Sequence, residues 1–570
     1  MTTDTQKRVY KSRLQFVDTK RPKSYRNLNN SSLIGFGSDI SYTSSKQSQS
    51  AMKILNVKDL VEIPSKRSRR RGWLFAFGIG LSCLLITAIT VSVPLAVLYF
   101  NQQTTTSTSI TTNTTASTST STTVSTTTHL PTSCNATCNI VSRAALSSYT
   151  AVWTFENNLN DILNVYNGTG VNSPGYSTGY VGQALSLNDS QYVTTPFINF
   201  ANSSFTVEAW IQPATLVTNG SDYAVFGECD LSGGTKDNCM HLILRNFNPY
   251  SIYMGFWADD LVSRTTLPAS LAGTWLHVAF VYDFSIKQQN IYRNGYNDGQ
   301  ANLTGTPAAY VGTSGLVNIG ASQTNNQFKG LIDHMFVSNQ AKSACEILDG
   351  ATLVAYFSFD SGSLQDSGPN YFTGTITSGV TTVSGYVNQA LTFGASSTYF
   401  SVGDLVALGT SNKAFSFSLW VKPTAYTGVG TIVHVANGAD GYTNGVSSWC
   451  VPFIGFDSSN RLVAQVWNGS AIPIVGSTLS LNVWTHIVET YSTTNGVILY
   501  VNGIQVGTTG AASYSASEVP DYVLLGYYGS SGFNCQTGSI TAGQFTGAID
   551  EFRIYSRELS LTDVCVLANQ

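Results

Sequence analysis

Charge is what this chain has least of. Only 11% of its 570 residues are Asp, Glu, Lys or Arg, against roughly 25% in an average soluble protein. Ser, Thr, Asn, Gly and Tyr fill the polar positions instead, so long, ion-pair-laced helices are excluded and a β-rich, secreted-type surface is expected. The sequence also lacks any Cys-x-x-Cys pair or Cys/His run at ligand spacing, which removes the usual zinc sites. At this length two to four domains are expected.

The charge that is present is unevenly placed. Residues 1–72 hold 16 Lys/Arg and 5 Asp/Glu, a net of +11, while 73–570 hold 13 Lys/Arg and 27 Asp/Glu, a net of −14. Between the two halves runs WLFAFGIGLSCLLITAITVSVPLAVLYF, Trp73 to Phe100, without a charge. About 20 apolar residues cross a hydrocarbon core of roughly 30 Å, so this segment predicts a transmembrane helix, with Trp73 and Tyr99 at its interfaces. It starts too late and runs too long for a signal peptide. Lys66 to Arg71 (KRSRRR) stands just before it, and basic clusters stay cytoplasmic. The expected arrangement is a type II, single-pass protein of the plasma membrane, with an unstructured tail (1–72) inside and the C-terminus outside. The adjacent span accounts for the basic cluster, so no nucleic-acid partner is expected. The bilayer is the partner of residues 73–100, and anionic lipid is a second contact for the basic tail. YRNL from Tyr25 matches a tyrosine-based endocytic signal, a four-residue pattern that also arises by chance.

Residues 101–133 form a Ser/Thr-rich stalk: 21 of the 25 residues from Thr104 to Thr128 are Ser or Thr. Such a tract builds no core and suits O-glycosylation, although it has almost no proline. Acceptor sequons for N-glycans follow at Asn113, Asn135, Asn167, Asn188, Asn202, Asn219, Asn302 and Asn468. Of nine cysteines, Cys83 lies in the span and eight follow it, an even number that favours disulfides in an oxidising compartment. The expected bridges are Cys229 with Cys239 and Cys450 with Cys535. Cys345 and Cys565 are candidates for pairing with Cys138 and Cys134. A local Cys134–Cys138 bridge is the alternative.

The rest of the chain is written twice. SFTVEAWIQP at Ser204 returns as AFSFSLWVKP at Ala414. GYVGQALSL at Gly179 returns as GYVNQALTF at Gly385, and TWLHVAFVYD at Thr274 as VWTHIVETYS at Val483. NIYRNG at Asn290 returns as ILYVNG at Ile498, and FKGLIDHMFVSNQ at Phe328 as FTGAIDEFRIYSREL at Phe545. Order and spacing are kept, which gives two tandem domains: 134–349, including the N-terminal Cys segment, and 351–570. Each reads as β. Phe205, Val207, Ala209 and Ile211 alternate with Thr206, Glu208 and Trp210, and Phe415, Phe417, Leu419 and Val421 alternate with Ser416, Ser418 and Trp420. Pro213 and Pro423 are expected to end these strands. Asn502-Gly503 signals a two-residue hairpin. Ser560 and Asp563, at capping-box spacing, predict a short C-terminal helix. The fold class is therefore all-β: two antiparallel jelly-roll sandwiches behind one N-terminal transmembrane helix.

These phrases resemble the laminin G-like jelly roll of the concanavalin A-like lectin/glucanase superfamily. The family's Trp-x-x-Pro strand, Trp-x-His strand, Tyr-x-Asn-Gly hairpin and Gly-x-Ile-Asp strand fall on Trp420 and Pro423, Trp484 and His486, Tyr500 to Gly503, and Gly547 to Asp550. The first copy is looser, with Arg293 before Asn294-Gly295. The resemblance covers about 420 residues. It implies the fold and leaves open lectins, adhesion modules, enzymes and spacers.

Related glucanases carry Glu-x-Asp-x-x-Glu, because glycoside cleavage needs paired carboxylates. The nearest match, ECDLSG at Glu228, lacks the final Glu, so no catalytic residue is assigned and no enzyme is expected. GYSTG at Gly175 matches a nucleophile-elbow pattern at Ser177, but in a loop rather than at a strand-to-helix turn. His277 and His486 read as framework residues, as do Trp210 and Trp420. The superfamily often binds calcium, which makes Glu156, Asp360, Asp333 and Asp550 the candidate ligands: they recur in the first and last motif strands, which the fold would bring together. The alternative role for each is local hydrogen bonding. Trp449, Trp467, Tyr527 and Tyr528 are the candidate ligand-binding residues. The expected function is surface recognition or adhesion through an extracellular glycan or protein. A non-binding structural spacer is the alternative, and a glycoside hydrolase a more distant one. The acidic balance argues against heparin-like ligands.

Overall fold

The computed structural model describes residues 148–570, apart from the loop stretches 218–219, 230–238, 257–258, 305–309, 311, 313–314, 323–325, 428–429, 442–448, 530–534 and 536–537. The expected tail, span and stalk, together with Cys134, Cys138, Asn113, Asn135 and Asn219, lie outside the described residues. Among the described residues no helix is long and apolar enough to cross a membrane.

Two β-sandwiches follow one another. In the first, an eight-stranded sheet runs in the order Tyr296–Asn302, Gln288–Arg293, Leu276–Asp283, Phe205–Pro213, Gly330–Ser338, Gln183–Leu187, Gly175–Thr178, with Tyr149–Trp153 also paired to Gly330–Ser338. Its partner is a seven-stranded sheet from Asp259–Leu267 to Thr169–Val171. The second sandwich repeats this order. Its eight-stranded sheet runs from Thr381–Ser384 to Ile504–Thr508, and its seven-stranded sheet from Thr375–Ile376 to Ala471–Val475. The strands of both sandwiches pair antiparallel, as a jelly roll requires.

The period-two pattern does its expected work. Phe205, Val207, Ala209 and Ile211 join one core with Phe226, Leu242, Ile252 and Phe280. Phe415, Phe417, Leu419 and Val421 join the other with Ile432, Phe453, Leu499 and Phe552. Each fully buried side chain of this size contributes roughly 1.5–3 kcal/mol. Pro213 does end its strand, but Phe415–Ala425 runs two residues beyond Pro423. A register shift between Pro423 and Ala425 absorbs the missing N–H there. Ser177 sits in an edge strand opposite Ala184, not in a loop.

Two α-helices are described, α1 (Ala344–Thr352) and α2 (Leu561–Ala568). Both carry full capping boxes, Ser343 with Glu346 and Ser560 with Asp563. Only α2 was expected, although the same spacing stands in the sequence before α1.

Candidate functional site

The repeated phrases converge on one device per sandwich. The tyrosine of each Gly-Tyr-Val phrase stacks on the tryptophan of the Trp-x-x-Pro strand: Tyr180 on Trp210 at 3.6 Å and Tyr386 on Trp420 at 3.4 Å between centroids. The aspartate of each Gly-x-Ile-Asp strand then grips the same loop. Asp333 Oδ2 accepts Val181 N–H at 3.0 Å. Asp550 Oδ2 accepts Tyr386 and Val387 N–H at 2.8 and 3.0 Å. The loop glycine is required, since a Cβ on Gly179 would stand 2.6 Å from Asp333 Oδ2, and one on Gly385 would stand 2.5 Å from Asp550 Oδ2. The framework histidines share a role as well. His277 and His486 N–H donate to the hairpin residues Asn294 and Asn502 at 3.0 and 2.9 Å. Burial lowers both imidazoles, His277 to about 4 and His486 to about 3, so both stay neutral.

The four candidate calcium ligands are brought together in pairs, one pair around each of these loops. Their oxygens are already engaged by hydrogen-bond donors. Gln183 N–H donates to both oxygens of Glu156 at 3.2 and 3.1 Å. Asp360 accepts Gln389 N–H at 3.3 Å and Asn388 Nδ2 at 3.1 Å. Asp333 Oδ1 takes His334 N–H at 2.7 Å and His334 Nδ1 at 2.8 Å, and Asp550 Oδ1 takes Glu551 N–H at 2.9 Å. Burial would lower His334, but Asp333 outweighs it and holds the imidazole above its usual value, which favours a cation already in place. Burial pushes Asp550 up to about 7. N–H donors aimed at the oxygens, and a carboxyl that tends to stay protonated, do not suit a hard cation that needs several unencumbered oxygens. These residues do not fit calcium, and the local-hydrogen-bond reading applies. Two further aspartates work the same way and were not anticipated. Asp161 accepts four backbone N–H groups, from Val152, Leu163, Val165 and Tyr166, and Asp366 accepts three, from Tyr356, Gly368 and Asn370. Their only sequence signal was recurrence five or six residues after Glu156 and Asp360.

Cys229 is bonded to Cys239 and Cys450 to Cys535. Cys345 and Cys565 are disulfide-bonded too. The fold brings His241 to the first pair and His434 to the second. In both clusters the sulfurs are joined to each other, which leaves no thiolate for a metal. Sequence spacing did not reveal His434, which reaches Cys535 from 101 residues away, whereas His241 stands two residues after Cys239 in the sequence itself. His434 Nε2 also lies 2.8 Å from the Gly441 carbonyl, under the loop that Cys535 staples.

The candidate ligand-binding aromatics form two groups in the second sandwich, on loops except for Trp467, which ends the strand Leu462–Trp467. Trp449 is half-buried against Phe453 and Tyr514, and its indole N–H donates to the Ser515 carbonyl at 3.0 Å. Trp467, also half-buried, accepts Ser515 N–H at its carbonyl. Tyr527 and Tyr528 pack on each other, 4.1 Å between centroids, and a Cβ on Gly441 would meet the Tyr528 carbonyl at 2.1 Å. Tyr528, Cys535 and Ser539 meet Gly441, Cys450 and Gln465 in turn, and Phe545 N–H donates to the Gly526 carbonyl at 2.9 Å. The described sequons Asn167, Asn188, Asn202, Asn302 and Asn468 are all exposed. The Asn468 side chain accepts the Ser515 hydroxyl beside the two tryptophans.

Glu228, the nearest match to a glucanase carboxylate, is fully buried. Tyr310 O–H donates to its Oε2 at 2.7 Å, and burial pushes it up to about 8. Such a group faces the core, not a substrate cleft.

Two face-to-face antiparallel sheets define a jelly-roll sandwich class of domain. The family model of the concanavalin A-like lectin/glucanases superfamily, in its laminin G form, matches residues 187–348 and 393–565. The chain belongs to that superfamily. A search of curated proteins returns no match. Among solved structures, the chain is similar to domain 4 of the extracellular arabinanase AbnA from Geobacillus stearothermophilus, solved with arabinotriose (22% identity, 35% of this chain and 97% of that one, TM-score 0.30). It is similar also to domains LG4-5 of the mouse laminin alpha1 chain (15% identity, 69% and 92%, TM-score 0.22).

Proposed function

We propose that this is a single-pass type II protein of the plasma membrane whose tandem laminin G-like domains, held off the bilayer by a glycosylated stalk, bind an extracellular glycan or protein. The observation that carries the binding reading is the loop cluster of the second sandwich. Trp449 and Trp467, half-buried, converge on Ser515, and Tyr527 and Tyr528 pack beside the same stapled connection. Half-buried, amphipathic rings, Trp449 among them held by its indole N–H, suit recognition. The topology rests on the charge split about residues 73–100 and on the exposed sequons. The buried, tyrosine-bonded Glu228 supports binding rather than hydrolysis.

The test is a glycan array and a library of extracellular proteins, probed with the purified protein and with Trp467→Ala and Tyr527→Ala. Binding that falls at least tenfold in the variants, with unfolding temperature unchanged, supports the reading. Binding that is absent, or indifferent to both substitutions, would favour the spacer.

A further inference from the structure

The glycan acceptors are unequally shared between the sandwiches. The first carries five sequons, at Asn167, Asn188, Asn202, Asn219 and Asn302, and the second carries one, Asn468-Gly469-Ser470. That one stands at the tip of the hairpin between Leu462–Trp467 and Ala471–Val475. Asn468 N–H donates to the Ser470 carbonyl at 3.0 Å, and the turn leaves both side chains exposed.

The Asn468 amide is held at one end and free at the other. Its Oδ1 accepts the Ser515 hydroxyl at 2.9 Å, while its Nδ2, the atom that carries an N-linked glycan, has no partner among the described residues. Ser515 also accepts the Trp449 indole N–H on its carbonyl at 3.0 Å, and it gives its own N–H to the Trp467 carbonyl at 2.8 Å. One residue therefore joins the glycan acceptor to both tryptophans. The acceptors of the first sandwich are anchored otherwise. Asn167 takes Asp161 N–H, Asn188 takes Ser190 in its own turn, and Asn302 takes Gln288 on the neighbouring strand. None of these three partners bonds a tryptophan among the described residues.

We infer that the N-linked glycan of Asn468 lies against Trp449 and Trp467, so that the chain's own sugar governs access to the recognition surface of the second sandwich. The inference rests on the extracellular placement and recognition role proposed for that sandwich. Attachment forms a bond from Asn468 Nδ2 to C1 of the first N-acetylglucosamine and breaks the bond from that C1 to a phosphate oxygen of a lipid-linked oligosaccharide diphosphate. Nδ2 gives up one proton, and the lipid diphosphate leaves. Oδ1 and Nδ2 share one carbon, so fixing Oδ1 on Ser515 fixes the direction in which the sugar departs. A pyranose offers an apolar ring face with polar edges, which matches a half-buried indole whose N–H is already engaged. A short tether supplies an effective concentration on the order of millimolar, enough to hold even a weak contact of this kind. An outside ligand has to compete with it.

The experiment uses the full chain from glycosylating cells, in detergent micelles. Ser470→Ala removes the sequon and leaves Asn468 on Ser515, whereas Ser470→Thr keeps the sequon. Glycopeptide mass spectrometry reads each acceptor, and hydroxyl-radical footprinting reads oxidation of Trp449 and Trp467. Trp484, under Lys422, is the reference. Oxidation of Trp449 and Trp467 should rise about threefold in Ser470→Ala, as for a tethered contact formed roughly two thirds of the time. Trp484 should be unchanged, and Ser470→Thr should match the wild type. Thermal unfolding checks the fold. If Ser470→Ala fails to fold, enzymatic removal of the glycan from the folded wild type decides by the same reading. A bare Asn468 beside occupied acceptors in the first sandwich overturns the inference and leaves the extracellular reading standing. An occupied Asn468 with equal oxidation in all three proteins also overturns it. Bare acceptors throughout would overturn the extracellular reading with it. The footprint needs no outside ligand, so its outcome stands apart from that of the glycan array.

Discussion

Glu489 offers the sharpest check on the packing argument. It lies on the strand Thr485–Ser492, opposite Phe417 on one side and Leu499 on the other. The first sandwich has Phe280 at this position, opposite Val207 and Ile291. Glu489 is fully buried, and neither carboxylate oxygen has a hydrogen-bond partner among the described residues. Burial alone therefore raises its pKa well above 4.5. A group with a raised folded pKa supports the fold fully below its unfolded pKa, and that support is lost as pH rises through the folded one. While the folded group holds its proton and the unfolded one releases it, each pH unit costs about 1.4 kcal/mol. Leaving the neutral carboxyl without a partner costs a further 1–3 kcal/mol or so at any pH. Glu489→Leu removes both effects. It is expected to raise the unfolding temperature of the second sandwich already at pH 5. The gap should then widen by about 3–5 °C per pH unit toward neutrality, taking 1 kcal/mol as roughly 2–4 °C for a domain of this size. Calorimetry of both proteins across this range measures the difference in slope, which cancels every other titrating group. A variant no more stable than the wild type, with a parallel pH profile, would refute the reasoning and show that the carboxylate is satisfied in the core.

Lys342 and Glu208 form a buried ion pair beside His277. Lys342→Met should cost about 3–5 kcal/mol in chemical denaturation by stranding Glu208. The double change to the second sandwich's residues, Glu208→Ser with Lys342→Leu (after Ser418 and Leu559), should recover most of that loss. Chelation of calcium should leave the unfolding temperature unmoved, whereas Asp550→Ala, which orphans three N–H groups, should lower stability by roughly 3 kcal/mol or more. A calcium-dependent melt would contradict the assignment of these carboxylates. Replacing Cys450 and Cys535 together by serine releases a loop with a sequence separation of 85. The expected loss is about 4–5 kcal/mol in the chain-entropy view, seen as earlier unfolding of the second sandwich alone.

The framework was legible because it is written twice in the sequence. Trp210 and Trp420, Gly179 and Gly385, and Asp333 and Asp550 recur since each makes the same contact in each sandwich. Recurrence showed that the carboxylates mattered and would lie near one another. It could not show that backbone N–H groups already fill them, because every chain carries those groups at every residue but proline. Position-by-position differences were harder to read. Glu489 in place of Phe280 acquires meaning only once the strand has a register and each side chain has a face. His434 became visible only when a loop from a hundred residues away was laid over it.

The aspartate clasp has a consequence for how such a molecule can change over generations. Gly385 and Asp550 occupy each other's last available space, so neither tolerates drift while the other stands. The same holds for Gly179 and Asp333. A duplicated domain wired this way keeps its loop in phase with its strand however far the outward positions wander.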